Sequence, residues 1–271
     1  QEIEDWQKLD LVENDGANGQ QGTPETHAFW KEFTAHVRKV QPEALIVAEN
    51  WTETPIIATY YGDTSVIPEG DELPMNFDFP LADQTLKGLQ NGNATGIAAT
   101  LDAVKKTYPA TVTDTPFLTN HDQVRLITQL SNSVPRAKNA AALLLTYPGT
   151  PFLYYGEEVG LQNGTTNNDE AKRTPMPWDA TAGGGFTTGS PWFPFAPGKD
   201  GANVAGETGN PDSLLSRYRA LIRARKGSVA LAKGDLELLT PTSGSTPVLA
   251  FLRVAGDERV LVAHNVSDGF A

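Results

Sequence analysis

The 271-residue chain has no cysteine. Disulfides, thiolate metal sites and cysteine nucleophiles are thereby excluded, although the absence fixes no redox compartment. Basic residues are also in short supply: 21 Lys and Arg face 33 Asp and Glu, for a net charge of -12 and a pI near 4.8. Phosphate backbones are bound by Lys and Arg surfaces, so a nucleic-acid partner is disfavoured and a neutral one favoured. No apolar run approaches the roughly eighteen residues needed to span a bilayer. The opening Gln1-Glu2-Ile3-Glu4-Asp5 lacks the basic and apolar regions of a signal peptide. A soluble chain without a membrane partner is expected, either secreted or cytoplasmic. What is present is an ordinary globular composition, 39% hydrophobic and 20% charged, sufficient for one or two domains with a large core.

Thr23-Pro24-Glu25-Thr26 has the form of a helix start, with Thr23 as N-cap, Pro24 at the first helical position and an acid in the first turn. The helix is predicted to run to Val40, because Phe29, Trp30, Phe33, Val37 and Val40 recur at three- and four-residue steps on one face. Gln41-Pro42 ends it. The continuous apolar run Ala44 to Ala48 that follows predicts a strand buried on both faces.

The same cycle recurs along the chain. Leu73 to Phe79 is a weaker strand candidate, and helical spacing covers 81–91 and 96–107. A strand is predicted over Pro116-Phe117-Leu118-Thr119, then an Ala- and Leu-rich helix over 135–147, then a strand over 150–155. Strand starts near 45, 75, 116 and 151 are separated by about 30 to 40 residues, the length of a β/α unit. About four parallel β/α units are therefore expected. Residues 156–210 form a long Gly-, Thr-, Asn- and Pro-rich loop of the kind that usually carries function. A helix over 212–225, closed by Gly227, precedes short alternating segments from Val229 onward that predict a small antiparallel sheet. The expected domains are 1–227 and 228–271.

Two of the predicted strands end in acids, Glu49 and Asp122. In a parallel α/β barrel the reacting groups sit where strands leave the barrel, and paired carboxylates at such a mouth point to cleavage of a glycosidic bond. An oxocarbenium-like transition state needs one acid held protonated and another held anionic around the same sugar. His27, His36 and His264 are expected at the surface, and Asp63, Asp71 and Glu72 as solvated charges. Asp169, Glu170 and Asp200 could ligate calcium, but their spacing matches no dedicated loop, so no metal or cofactor is expected.

Four segments, taken in order, resemble the α-amylase family of glycoside hydrolases, family thirteen, over nearly everything from Leu11 to Ala271. Val47-Ala48-Glu49-Asn50-Trp51 is similar to the family's fifth barrel strand. Phe117 to Asp122 is similar to its seventh, and Pro148 to Glu158 to its eighth strand and exit loop. Arg173-Thr174-Pro175-Met176-Pro177-Trp178-Asp179 resembles a segment of oligosaccharide-acting members. The resemblance implies the C-terminal half of a TIM barrel, a partial (β/α) barrel, followed by a short, incomplete antiparallel β domain. It implies Glu49 as general acid/base and Asp122 as transition-state stabiliser, with His121, Asn120, Trp51, Tyr155 and Arg173 binding an α-glucan or maltooligosaccharide.

One part of the family pattern departs here. The family's nucleophile lies on the fourth strand within Gly-Phe-Arg-x-Asp-Ala, whereas this chain has Trp6-Gln7-Lys8-Leu9-Asp10 followed directly by Leu11. Asp10 keeps the acid without the Ala and connecting residues, and the first ten residues read as foreign to an amylase-like remainder. Four barrel strands would leave open edges, so a homodimer or higher oligomer covering the open side is expected. A non-catalytic α-glucan-binding module and an inactive fragment are the alternatives to an enzyme.

Overall fold

A computed structural model describes residues 22–239 and 246–269, so Asp10 and the segment around it lie outside the described residues. The chain divides into two compact units: residues 22–81 with 100–116, and residues 82–99 with 117–269.

The first unit opens with helix α1 (Pro24–Val40). Thr23 caps it as the sequence predicts, its side chain accepting from Thr26 N at 3.2 Å. The apolar stripe, however, is not the buried face. Thr26 and Thr34 are buried, while Phe33 and Val40 are exposed. Polar anchoring along the flank of the stripe explains the difference: Thr34 Oγ1 donates to the Glu72 carbonyl, and His27 Nδ1 lies 2.6 Å from Glu72 Oε2. Glu72 is thus a buried acid, not a solvated one, and burial raises its pKa against the opposing pull of His27. Helix α2 (Thr54–Thr59) supplies Ile57, which packs with Tyr61, Val104 and Tyr108 in a small core.

Among the described residues parallel pairing appears as two isolated bridges, Ala48 with Asn76 and Phe77 with Thr115. Residues 44–48 are therefore not a strand buried on both faces. Leu45 is 68% exposed and lines an open groove with Trp30, Phe33, Val37 and Leu73. A continuous apolar run records the need for cover, not its presence.

Helices α3 (Phe79–Asn91) and α4 (Thr95–Thr107) begin within two residues of their predicted starts. The second unit continues with the short α5 (Leu126–Gln129) and with α6 (Val134–Thr146), where Ser133 caps the N-terminus and seven Ala and Leu side chains are buried. Residues 150–155 carry side-chain anchors but form no strand. The long loop holds 3-10 turns at Glu157–Val159 and Asp169–Lys172 and a short helix α7 (Val204–Glu207). Helix α8 (Leu214–Lys226), capped by Ser213, packs on α6. Val229–Lys233 forms a further helical turn, α9, in place of the alternating segment expected there, because Ser228 caps it by accepting from Leu231 N.

Strands β1 (Asp235–Leu238), β2 (Val248–Ala255) and β3 (Glu258–Asn265) form the predicted antiparallel sheet in the order β1-β2-β3. Leu249, Phe251 and Arg253 alternate inward along β2. On β3, His264 is buried rather than superficial, and desolvation lowers its pKa to about 4. Among the described residues no helix is long and apolar enough to cross a membrane.

Two buried guanidiniums close the end of α6, Arg253 from the sheet and Arg225 from α8. Arg253 Nη1 donates to the carbonyls of Thr146 and Tyr147, both at 2.7 Å, and its Nη2 to Gly234 O. Arg225 Nη1 donates to Leu145 O and Tyr147 O, and its Nη2 to Gly149 O. The last carbonyls of a helix lack intrahelical donors and carry negative partial charge, so cations there satisfy both needs. Arg253→Met should therefore lower stability by on the order of 3 kcal/mol, because several buried carbonyls lose charged donors together. A urea titration would register this as a lower midpoint, and an unchanged midpoint would contradict it.

Candidate active site

The predicted site residues fall in both units. Within the first, Glu49 is exposed at the rim of the groove. Its neighbour is fixed by a buried amide pair: Asn50 Nδ2 donates to Asn76 Oδ1 at 2.5 Å, and Asn76 Nδ2 donates to Leu73 O. Trp51 stacks on Phe79 with centroids 4.7 Å apart and remains 57% exposed, leaving ring surface to solvent.

Within the second unit the structure gathers Asn120, His121, Asp122, Tyr155 and Arg173. Phe117, Leu118 and Thr119 are buried and carry the chain out to a polar turn. In that turn Asp122 N donates to Asn120 Oδ1 at 2.9 Å, an Asx turn that fixes the backbone of the acid. Arg173 Nη2 donates to Asp122 Oδ1 at 2.5 Å and its Nε to His121 O, while Lys172 Nζ donates to Asp122 O. His121 Nε2 lies 3.1 Å from Asp122 Oδ2. Arg173, expected to bind sugar, thus holds the acid itself.

Beneath this turn lies support in which Tyr155 is the one residue that the sequence analysis names as part of the site. Thr119 Oγ1 donates to Glu157 Oε1 at 2.5 Å. Burial pushes the Glu157 carboxyl up to about 8, against the opposing pull of this hydrogen bond and of Arg125. The Arg125 guanidinium lies 4.5 Å from the ring centroids of both Tyr154 and Tyr155 and donates to Tyr155 O. Tyr155 OH in turn donates to Thr174 O at 2.7 Å, tying this stack to the segment that carries Arg173. Gly156 has φ +86°, and a Cβ there would come within 2.6 Å of Leu161 and 3.1 Å of Arg125 Nη1, so only glycine fits. That glycine, inside Tyr154-Tyr155-Gly156-Glu157, was the available signal.

Among the described residues no three His, Asp or Glu side chains gather as a metal site, and Asp169 pairs with Lys172 instead.

Comparison with known proteins identifies the family. The family model for the alpha amylase catalytic domain matches residues 3–234. The match includes most of the opening residues, so these are not foreign to the remainder. Alpha-amylase 3 of Dictyoglomus thermophilum is 31% identical over 244 residues, covering 88% of this chain and 46% of that protein. Glucan 1,6-alpha-glucosidase of Streptococcus pneumoniae is 30% identical over 292 residues, covering 90% of this chain and 53% of that protein. The alpha-amylase from H. orenii superposes with a TM-score of 0.78 at 29% identity, over 93% of this chain and 50% of that one. The chain spans about half the length of these relatives. Its described architecture is accordingly that of about half of a TIM-barrel α-amylase together with a small antiparallel sheet. The extent of the family match makes this chain a member of the α-amylase family of glycoside hydrolases.

Proposed function

We propose that this chain acts on α-glucans or maltooligosaccharides, with Glu49 as general acid/base and Asp122 as transition-state stabiliser, on about four parallel β/α units. The observation that carries this reading is the fixed turn at Asn120-His121-Asp122, whose acid is oriented by its own backbone, Arg173 and Lys172. In this scheme the Glu49 carboxyl protonates the leaving glycosidic oxygen as the C–O bond breaks. The Asp122 carboxylate stabilises the positive charge that develops on the ring, and Glu49 then takes a proton from the incoming water. His121 and Asn120 hydrogen-bond sugar hydroxyls, and the exposed faces of Trp51 and Tyr155 stack on pyranose rings.

A retaining reaction also needs a carboxylate about 5 to 5.5 Å from the acid. Asp10 is the candidate within the family-matched segment, but it lacks the family's flanking residues. Without such a nucleophile, activity falls by orders of magnitude, because members of a catalytic unit do not substitute for one another. A second reading, α-glucan binding without cleavage, is favoured by one observation: both Asp122 oxygens already have protein partners. Glu49→Gln separates the two. Hydrolysis of maltooligosaccharides should fall by about 100- to 10,000-fold while binding persists. Equal turnover by both forms would contradict the assignment of Glu49.

We also propose that copies of the chain associate through the open edge at residues 44–49. Leu45 and Phe33 are exposed there beside an apolar groove of about 560 Å³. Light scattering on the eluting chain should give a mass above one copy, and Leu45→Lys should shift it toward the monomer. A wild-type chain that elutes as a monomer at all concentrations would contradict this.

A further inference from the structure

The first unit buries two aspartates that the chemistry above does not use. Asp78 follows Phe77 and Asp114 precedes Thr115, the two residues joined by a parallel bridge. Since strand side chains alternate, both acids fall on the same side of that bridge. The backbone links them further, with Asp78 N donating to Thr115 O at 3.1 Å. Asp78 is fully buried and Asp114 is 7% exposed.

Each acid has one satisfied oxygen. Asp78 Oδ1 accepts from Leu81 N at 2.9 Å, in the first turn of α3, and Asp114 Oδ1 accepts from Thr115 N at 2.8 Å. The other oxygen of each, Oδ2, is buried and has no donor. The titratable groups facing the pair are the Tyr61 phenol, just beyond α2, and the Tyr108 phenol, just beyond α4. Their rings meet edge-on at 5.2 Å, and neither hydroxyl reaches an acceptor. Among the described residues neither acid forms an ion pair with Lys, Arg or His.

Two carboxylates buried together without a cation cannot both stay charged, and the cheapest missing donor is a proton. We propose that Asp78 and Asp114 share a proton at neutral pH, forming an acid clasp that ties residues 75–78 to residues 114–115 and loosens as the solution turns alkaline. The directions of the two titrations agree. Burial raises Asp78 to about 6, and burial followed by the Asp78 charge raises Asp114 well above the usual carboxylate range. The two steps belong to the pair as a unit.

A carboxyl whose folded pKa is raised holds a proton that the unfolded chain releases. The stabilisation is therefore complete below about pH 4 and is lost as the pH rises through the folded values. For Asp78 alone, the change from 3.8 to about 6 corresponds to about a 100-fold loss in the folding equilibrium.

The test is carbon-13 NMR of the full chain labelled at aspartate Cγ, which excludes the Glu157 carboxyl from view. One aspartate step near pH 6 is expected, with a second aspartate still protonated beyond it. Titration of every aspartate below about pH 5, the ordinary range, would overturn the proposal. Asp114→Asn supplies a second readout, because its amide can donate to the free Asp78 oxygen in place of the proton. Its stability relative to wild type should rise between pH 5 and pH 8, about tenfold in the folding equilibrium for each pH unit over which the folded wild-type pair holds one proton more than the variant, whereas a pH-independent difference would overturn the proposal. If the variant does not fold, the NMR titration of the wild-type chain decides alone.

Discussion

The contact between Arg173 and Asp122 is the constraint on which the candidate site depends. An acid on an exposed turn has many orientations, and a transition-state stabiliser is useful only in one. Here the Asx turn at Asn120 sets the backbone, Lys172 holds the Asp122 carbonyl and Arg173 holds its carboxylate. Arg173 is itself located by the loop anchored through Tyr155 and Thr174, and Tyr155 is located by Arg125. Asp122 therefore inherits its position from a chain of polar contacts that runs down to the buried Thr119–Glu157 hydrogen bond. The pair is only partly buried, so its value is geometric rather than a large contribution to stability.

The same pattern, buried polar groups satisfied across sequence-distant segments, recurs through both units. Arg225 and Arg253 close the end of α6, Asn50 and Asn76 fix the segment bearing Glu49, and Glu72 anchors α1 through His27 and Thr34. Leaving such groups unpaired is costly, so each one restricts the backbone strongly. The Asp78–Asp114 pair belongs to this set, with a proton in the place of a side-chain donor.

What could be read from the sequence was local. Thr23 announces its helix, because a capping hydroxyl acts within three residues of itself. The alternation in β2 and β3 is likewise a neighbour-to-neighbour property. The order of the four family-like segments carried the family and the general architecture. What could not be read depends on distant partners. The apolar run at 44–48 looked buried because its composition says nothing about which face is covered. Glu72 looked solvated because its neighbours in sequence are polar, although its partners lie on α1. Glu157 and Arg125 sit in irregular segments without periodicity, and only the left-handed Gly156 hinted at close packing there. The loop over 156–210 is legible from its composition, yet the 3-10 turn at Asp169–Lys172, whose Lys172 holds the Asp122 carbonyl, emerges only from the fold.

The account stands on Glu49 and Asp122 serving one sugar. A crystal structure of the chain with bound maltotriose tests this most directly. The account predicts a glucose ring seated against Asp122, with the glycosidic oxygen within hydrogen-bond distance of the Glu49 carboxyl. A sugar bound elsewhere, or one touching Asp122 while Glu49 faces a separate cleft, would contradict it.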